Sequence, residues 1–431
     1  MNNDELQVLG EPRKLNKQEK RKIAIIAAVL LSLVVAVGMW IHKAVAPERH
    51  EIIKSGKKMG EPTIIPELQI AVDSLLEAQM TKIGNCLQGQ AIVMEVQTGE
   101  ILAMVGLERN FEGKFQPCKN FAYQQELGNL MHTVSLLAVL ETGEAKLSDI
   151  VHTGVGVCPV EDGYEMKDHN WRRGGYGSIT LGTALEVSSN VGISLAVNKA
   201  FGNNNQAFFD ILDKMSFGQP DNIEGIDELN PTSYSSPKDK DWANWKLWWN
   251  AIGYEWKIAP IQMLTFYNAI ANNGKMVKPT LKTGEIEIIN PQIASKAVID
   301  SMQVALEHVV SQGLGKKAGI PILMVAGKTG TSQVKEYYYS NNEEPVYEYQ
   351  LAFCGYYPAD KPIFSIIVSM NKLGLPASGG GMAGVVFHNI VKWMIAHGMP
   401  SLAVIDEMTN DTINISSNNV DSIMESMNKQ D

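Results

Sequence analysis

The sequence predicts an α+β fold in which a five-stranded antiparallel sheet is covered by helices on both faces, with one N-terminal transmembrane helix before it. Strand-like apolar runs occur in two groups, two early and three late, and a mostly helical part separates them. This grouping is typical of a single antiparallel sheet layered against helices. A separate uncharged run near the N-terminus predicts the transmembrane helix.

The first elements of the domain are a helix and a hairpin. Apolar residues recur at helical spacing at Leu68, Val72, Leu75 and Leu76. Two strands are predicted at Ala91–Val96 and Ile101–Val105, and the turn-forming stretch Gln97–Glu100 between them indicates a hairpin. A strongly apolar helix is then predicted from about Leu130 to Leu140.

The later elements follow from the same two periodicities. Helices are predicted at Leu181–Ala200, Ala259–Asn273, Ile293–Val310 and Val385–His397. The three late strands are predicted at Ile322–Ala326, Gln350–Tyr356 and Ile363–Met370. The tail from Ser401 is rich in Asn, Ser and Asp, a composition that predicts a flexible polar segment.

Residues 23–41 carry no charge and a single hydroxyl. As a helix this stretch is about 28 Å long, close to the hydrocarbon thickness of a bilayer. The ten residues before it hold six Lys or Arg and the ten after it hold two, which predicts a cytoplasmic N-terminus. A cleaved signal peptide is the alternative, because Ala44–Ala46 resembles a cleavage site, but the apolar run is longer than usual and Pro47 would follow the cut. We expect an uncleaved single-pass anchor in the cytoplasmic (inner) membrane, with the bulk of the chain on the extracytoplasmic side, facing the periplasm in a two-membrane cell.

The domain organisation follows from these boundaries. The predicted parts are a cytoplasmic tail of residues 1–22, a transmembrane anchor of residues 23–41, a linker of residues 42–65, a folded domain of residues 66–400 and a flexible polar tail of residues 401–431. The linker is far shorter than an independent domain, so we expect the folded domain to lie close to the membrane.

Composition excludes several classes of function. The chain has 45 % hydrophobic and 19 % charged residues, which is typical of a globular protein. Its 37 basic and 47 acidic residues give a formal net charge of −10, so no nucleic-acid partner is expected. Four scattered cysteines predict neither a disulfide framework nor a zinc ribbon, and whether Cys118 and Cys158 pair stays open. No metal or other cofactor is expected.

A candidate substrate-binding run is formed by Lys328, Thr329, Gly330 and Thr331. It lies just after one predicted strand and before another. A cation and hydroxyls beside a glycine can bind a carboxylate and let a substrate backbone approach closely. The rival interpretation, a phosphate-binding P-loop, needs a glycine where this sequence has Ile322. A second Lys-Thr-Gly run that begins at Lys282 is interpreted as a coincidence.

Ser188 and Asn190 form a Ser-x-Asn element at the end of the apolar helical turn that begins at Leu181. Taken alone, Ser-x-Asn is a common cap or turn. Together with the later Lys-Thr-Gly it provides two of the three elements of the serine acyl-transferases that bind penicillin, whose third element is Ser-x-x-Lys.

The chain resembles the transpeptidase domain of penicillin-binding proteins, especially the membrane-anchored monofunctional class, over about residues 66–398. The segments that carry the resemblance occur in the family's order and are Gln97–Met104, Ser188–Gly192, Ala251–Gly253, Ala259–Met263, Ile270–Gly274, Gly327–Thr331 and Phe353–Pro358. Asp168–Asn170 also resembles a family segment, although a turn explains it. The resemblance implies the serine transpeptidase and β-lactamase fold, D,D-transpeptidase chemistry on peptidoglycan stem peptides, and a part in cell-wall synthesis. It also implies that Ser188 and Asn190 relay protons and that residues 328–331 hold the substrate.

The nucleophile motif departs from the family pattern. Where the family has Pro-Gly-Ser-x-x-Lys-Pro before an apolar helix, this chain has Leu-Gly-Asn-Leu-Met-His-Thr, so Asn129 aligns with the nucleophile and His132 with the base. A carboxamide has no ionisable oxygen and its nitrogen is not nucleophilic. Losing the serine of a serine-type site costs roughly 10⁶ in turnover. The aligned catalytic positions are therefore Asn129, His132, Ser188 and Asn190, and the two replacements favour loss of activity.

Three functions fit these observations. The leading hypothesis is a pseudoenzyme, a membrane-anchored homologue that binds stem peptides or other cell-wall synthesis proteins without catalysis. The alternative is an active penicillin-binding D,D-transpeptidase or carboxypeptidase that uses a displaced hydroxyl such as Ser188, for which the sequence supplies no obvious base. A muropeptide sensor ranks last, because 22 cytoplasmic residues are too short for an effector domain.

Overall fold

The computed structural model describes residues 59–284, 286–337 and 345–399 of the chain. The predicted cytoplasmic tail, the transmembrane anchor, residues 42–58 of the linker and the polar tail lie outside the described residues. Within those described ranges, no helix combines the length and the apolar character needed to cross a bilayer.

The helices and strands are numbered in chain order. The α-helices of the described ranges are α1 (Pro66–Ile83), α2 (Met131–Glu141), α3 (Leu181–Glu186), α4 (Asn190–Phe201), α5 (Asn205–Lys214), α6 (Lys246–Asn250), α7 (Pro260–Ala271), α8 (Lys296–Ser311) and α9 (Gly384–Ala396). The strands are β1 (Cys86–Glu95), β2 (Ile101–Arg109), β3 (Phe115–Pro117), β4 (Ile150–Gly154), β5 (Val157–Pro159), β6 (Glu165–Lys167), β7 (Gly177–Thr180), β8 (Ser233–Tyr234), β9 (Trp256–Lys257), β10 (Met276–Val277), β11 (Ile288–Asn290), β12 (Ala326–Tyr337), β13 (Val346–Tyr357) and β14 (Phe364–Leu373).

Six strands form one antiparallel sheet in the order β12-β13-β14-β1-β2-β3. The prediction of five strands is wrong, because β3 adds a sixth strand at one edge. This strand follows β2 through a turn in which the Asn110 side-chain oxygen accepts hydrogen bonds from the backbone N–H groups of Glu112 and Lys114, both at 3.0 Å. Three residues are too few to show the alternation by which a strand is recognised in a sequence.

Helices cover both faces of the sheet, as predicted. Along β1, Ala91 and Val93 pack in a core with residues of α1 and α9. Ile92 and Met94 point to the opposite face and pack in a core with residues of α2, α7 and α8. Because successive strand residues face opposite sides of a sheet, one strand contributes to both cores.

The structure confirms the β1–β2 hairpin and corrects two other elements. The predicted helix Leu181–Ala200 is broken into α3 and α4, and Ser188 lies between them with a φ of 55°. The predicted strand Ile322–Ala326 is displaced, because β12 begins at Ala326 and continues to Tyr337. The Lys-Thr-Gly-Thr run therefore lies inside an edge strand. Its glycines and polar residues lack the apolar pattern that marks a buried strand.

Two glycines bring the start of α2 against β12. Gly253 has a φ of 93°, and a Cβ atom there would lie 2.2 Å from the Gly128 carbonyl oxygen. Gly128 has a φ of 56°, and a Cβ atom there would lie 2.8 Å from Cβ of Ser332 on β12. A larger residue at either position would separate these segments, so both glycines fix the place where α2 begins.

Candidate active site

The candidate site lies where three segments meet: the start of α2, the break between α3 and α4, and the first half of β12. The structure places the predicted site residues in two hydrogen-bonded groups. Asn129 contacts both His132 and Asn190. Lys328 contacts Ser188.

The start of α2 is held from behind by Tyr267 of α7. The Tyr267 hydroxyl is 2.8 Å from both the Leu130 carbonyl oxygen and the Thr133 hydroxyl. Asn129 belongs to the 3-10 turn Gly128–Leu130 that leads into α2. A fully buried tyrosine thus fixes the turn that carries the residue aligned with the nucleophile.

The amide groups of Asn190 and Asn129 form a hydrogen-bonded chain with a defined direction. The Asn190 side-chain nitrogen donates to the Lys167 backbone carbonyl at 3.1 Å, so the Asn190 oxygen faces Asn129. The Asn129 nitrogen donates to that oxygen at 2.6 Å and lies 3.0 Å from Nε2 of His132. Because a backbone carbonyl can only accept, the contact with Lys167 sets the orientation of both side-chain amides. Both amide hydrogens of Asn129 are then used.

His132 is neutral and its Nε2 atom is occupied. Burial, and next the charge of Lys328, hold the pKa of His132 well below its ordinary value. Since Nε2 accepts from the Asn129 amide, the proton of the neutral ring lies on Nδ1. Nδ1 is buried without a hydrogen-bond partner in the described part of the chain. This histidine therefore has no free lone pair with which to act as a base.

Lys328 is fully buried and points at Ser188. Its ammonium nitrogen lies 2.8 Å from the Ser188 hydroxyl oxygen and 2.9 Å from the Thr329 carbonyl oxygen. Burial lowers the pKa of Lys328 to about 7. Near neutral pH this lysine is therefore present both as a cation and as a free amine.

Ser188 lies in a strained backbone conformation. Its φ of 55° is in the left-handed region, which is uncommon for residues other than glycine. The strain is confined to one residue, because Ser189 resumes an extended conformation and caps α4 by accepting a hydrogen bond from the Gly192 N–H at 2.9 Å. Such outliers cluster at functional sites, where surrounding contacts hold them in place.

Asp168 supports this break and is a residue that the sequence interpretation missed. Its carboxylate accepts hydrogen bonds from the Ser189 hydroxyl at 2.9 Å and from the Val191 N–H at 3.0 Å. The interpretation of Asp168–Asn170 as a turn is therefore incomplete. The resemblance of that segment to the family drew attention to it without giving Asp168 a role, because one Asp in a polar loop has no periodic signal.

The rest of the Lys-Thr-Gly-Thr run lies along the outer edge of the sheet. The Thr331 hydroxyl accepts a hydrogen bond from the Gly379 N–H at 3.0 Å, and the Thr329 hydroxyl oxygen lies 3.4 Å from the Lys328 nitrogen. A Cβ atom on Gly330 would lie 2.7 Å from the Leu127 carbonyl oxygen, so this position requires glycine. The site thus combines a titratable lysine, hydroxyls and amides, but it has a carboxamide where the helix begins.

No metal centre is found in the parts of the chain that the structure describes, where no three His, Cys, Asp or Glu side chains come close enough to hold an ion. Cys118 and Cys158, whose pairing the sequence leaves open, are both free thiols. The second Lys-Thr-Gly run, which begins at Lys282, contacts the residues just before α1. The Thr283 N–H donates to the Glu61 carbonyl, and the Gly60 N–H donates to the Thr283 carbonyl.

Comparison with known proteins places this geometry among related sequences. Residues 89–392 match the penicillin binding protein transpeptidase domain. Stage V sporulation protein D of Bacillus subtilis is 27 % identical over 340 residues, which are 73 % of this chain and 49 % of that protein. The peptidoglycan D,D-transpeptidase FtsI of Escherichia coli is 22 % identical over 335 residues, 74 % of this chain and 53 % of that protein. The chain spans about half the length of these curated relatives.

Solved structures share the fold. The transpeptidase domain of Burkholderia pseudomallei penicillin-binding protein 3 superposes with a TM-score of 0.67 at 23 % identity, covering 80 % of this chain and 98 % of that one. Penicillin-binding protein 3 of Mycobacterium tuberculosis, complexed with aztreonam, superposes with a TM-score of 0.65 at 23 % identity, covering 79 % of this chain and 80 % of that one.

Proposed function

The chain belongs to the family of penicillin-binding protein transpeptidase domains, and from this premise we propose that it is a non-catalytic member that binds peptidoglycan stem peptides in cell-wall synthesis. The family match confirms the resemblance predicted from the motifs. The proposal concerns what the altered site does.

The observation that carries the proposal is the hydrogen-bonded amide chain at the start of α2. Asn129 occupies the position aligned with the nucleophile, and its two amide hydrogens are donated to Asn190 and His132. The neutral histidine beside it accepts one of them and so has no lone pair left for catalysis. Because this arrangement supplies neither an attacking oxygen nor a base to activate one, no acyl-enzyme forms there.

Peptide binding does not require the lost groups. The Thr331 hydroxyl accepts from the Gly379 N–H and keeps its own proton, which it can donate to a peptide carboxylate without a covalent step, while the buried cation of Lys328 on the same strand favours a negative charge nearby. The edge strand β12 pairs with β13 on one side only. Lys328, Thr329 and Gly330 are buried there and Thr331 is partly exposed, so Thr331 is the residue of this run that a peptide can reach.

A synthetic pentapeptide that ends in D-Ala-D-Ala is expected to stabilise the purified full-length chain. At ten times its Kd, the midpoint of thermal unfolding should rise by about 2 °C, since a ligand that binds only the folded state stabilises it by mass action. The control is the same peptide with a C-terminal carboxamide, which should produce a much smaller shift because it lacks the carboxylate charge that the Thr331 hydroxyl and the Lys328 cation favour. Equal shifts with both peptides, or no shift with either, would contradict the proposal.

The arrangement in the membrane belongs to the same proposal. The uncharged run of residues 23–41 and the basic residues before it favour a single-pass anchor in the cytoplasmic membrane, with the transpeptidase-like domain of residues 66–400 outside the cytoplasm. Cell-wall synthesis proteins in that membrane are the expected partners. Protease digestion of intact spheroplasts tests the orientation, because only an extracytoplasmic domain is digested.

A second candidate function is favoured by one contact. Lys328 lies 2.8 Å from the Ser188 hydroxyl and has a pKa of about 7, so it is a base that the sequence did not reveal for this serine. In this second function Ser188 attacks the acyl carbonyl, Lys328 takes its proton, and the leaving amine is expelled after protonation.

The Ser188→Ala variant separates the two functions. Under the leading proposal we expect no release of D-Ala from the pentapeptide by either the wild-type chain or Ser188→Ala. Release by the wild-type chain that disappears in Ser188→Ala would establish the second function. Ser178→Ala is the matched control, because it removes a serine hydroxyl from β7, outside the candidate site.

A further inference from the structure

An exposed tryptophan with cations over its ring lies beside the candidate site. Trp171 belongs to the 3-10 turn Trp171–Arg173 and remains 38 % exposed. The Lys167 ammonium nitrogen lies 5.2 Å from its ring centroid and the Arg172 guanidinium carbon lies 5.0 Å from it. Both distances are within the range of cation–π attraction.

Two guanidinium groups at this turn have no acidic partner. The described ranges contain three arginines. Arg109 donates to three backbone carbonyl oxygens, those of Cys86, Gly113 and Gly84. Arg172 and Arg173 are both exposed, and neither pairs with a carboxylate in the part of the chain that the structure describes. In a chain of net charge −10, two adjacent arginines without a carboxylate partner are a local concentration of positive charge.

Hydrogen bonds join the segment just before this turn to the candidate site. The backbone carbonyl of Lys167 accepts from Asn190, and the Asp168 carboxylate holds the first turn of α4. A Cβ atom on Gly156 would lie 3.2 Å from Cα of Trp171, so the backbone of Gly156 packs closely against the backbone of this turn. Arg173 and Lys328 also share a neighbour, because both charges contribute to lowering the pKa of His169 after burial.

An exposed indole beside unpaired guanidinium groups matches one class of ligand. The apolar face of a pyranose ring packs on an aromatic ring, while arginine binds a carboxylate through two parallel hydrogen bonds. A neutral sugar would leave the charge of the guanidinium groups unused, and a small anion would leave the exposed part of the indole unused. A sugar that carries a carboxylate uses both.

We propose that Trp171, Arg172 and Arg173 form a binding subsite for a carboxylate-bearing saccharide at the rim of the candidate site. The muramic acid of a glycan strand, with its lactyl carboxylate free, has this chemistry. The choice of this sugar rests on the proposed function in cell-wall synthesis. The subsite would hold a muramic acid that carries no stem peptide, beside the edge of β12 that is proposed to bind the stem peptide of another.

The experiment is a titration of the purified full-length chain with the disaccharide N-acetylglucosaminyl–N-acetylmuramic acid, followed by saturation-transfer NMR. N,N′-diacetylchitobiose is the neutral comparison. We expect the acidic disaccharide to bind more tightly than the neutral one, by about fivefold, and the difference to shrink as salt is added. Equal binding of the two sugars would overturn the proposal.

Three variants define the residues involved. Trp171→Ala should weaken binding of the acidic disaccharide by about tenfold. The double variant Arg172→Gln with Arg173→Gln should weaken it by about fivefold and leave chitobiose binding unchanged. Lys199→Gln with Lys214→Gln removes two exposed cations from α4 and α5 and should bind like the wild-type chain. Wild-type affinity in Trp171→Ala, or an equal loss in the lysine control, would overturn the assignment.

The pentapeptide shift distinguishes this proposal from the proposed function. The disaccharide contains no peptide and the pentapeptide contains no sugar. A chain that shifts with the pentapeptide but ignores the disaccharide retains the proposed function and lacks the subsite. The same shift, if it is unchanged in Trp171→Ala, also shows that this variant is folded.

Discussion

The double variant Asn129→Ser with His132→Lys is expected to form a covalent adduct with a labelled penicillin. The substitutions return a hydroxyl and an amine to the first turn of α2, three residues apart on one helical face. They also free the Asn190 side-chain oxygen, which now accepts from Asn129. Loss of the nucleophile and base lowers the turnover of a serine-type site by roughly 10⁶, and the double variant returns both groups. A gel should therefore show labelling where the wild-type chain shows none.

Two controls make this result specific. Asn129→Ala with His132→Lys carries the new amine without a hydroxyl and should stay unlabelled. Asn129→Ser alone should label far more slowly than the double variant, because burial and the charge of Lys328 hold the pKa of His132 so low that it is a weak proton acceptor. A folded double variant that takes up no label would show that catalysis requires more than the two replaced side chains.

Lys328 should make the stability of the chain depend on pH in the weakly alkaline range. Its pKa is about 7 in the folded chain and 10.5 when unperturbed, so between these values the unfolded state binds more protons. The free energy of unfolding therefore rises with pH above about 7, by on the order of 2 kcal/mol between pH 7 and pH 8.5. Below pH 7 both states hold the proton and this contribution is flat.

Urea unfolding of the wild-type chain and of Lys328→Met at both pH values measures this effect. The difference between the two chains cancels other groups, such as Cys86 and Cys354, whose raised pKa values act above pH 9 in the opposite sense. Lys335→Met is the matched control, because Lys335 is an exposed lysine on the same strand. A pH dependence in Lys328→Met equal to that of the wild-type chain would show that Lys328 is charged inside the fold.

Periodic patterns accounted for much of the fold. The helices α2, α7, α8 and α9 follow long apolar runs with clear spacing, and the structure has them close to the predicted bounds. The β1–β2 hairpin is present, but β1 already begins at Cys86 and β2 continues to Arg109. The wrong predictions concern two strands that lack a regular apolar pattern. The short edge strand β3 has no room for alternation, and β12 is rich in glycine and polar residues because it borders the candidate site.

The candidate site was predicted as a set of residue types but not as a set of contacts. Motif spacing brought Asn129, Ser188 and Lys328 to attention, and the fold places them in one region. The left-handed φ of Ser188 is invisible in a sequence, as is the role of Asp168 in holding the break before α4. The state of Lys328 also depends on its complete burial, which is produced by packing of distant segments.

The most direct test of lost catalysis is the intact mass of the wild-type full-length chain after prolonged incubation with excess benzylpenicillin. The amide chain from Lys167 through Asn190 to Asn129 predicts a mass equal to that of the untreated protein. A mass increase equal to one penicillin molecule, with the modification mapped to Ser188 or to any other hydroxyl of the candidate site, would contradict it.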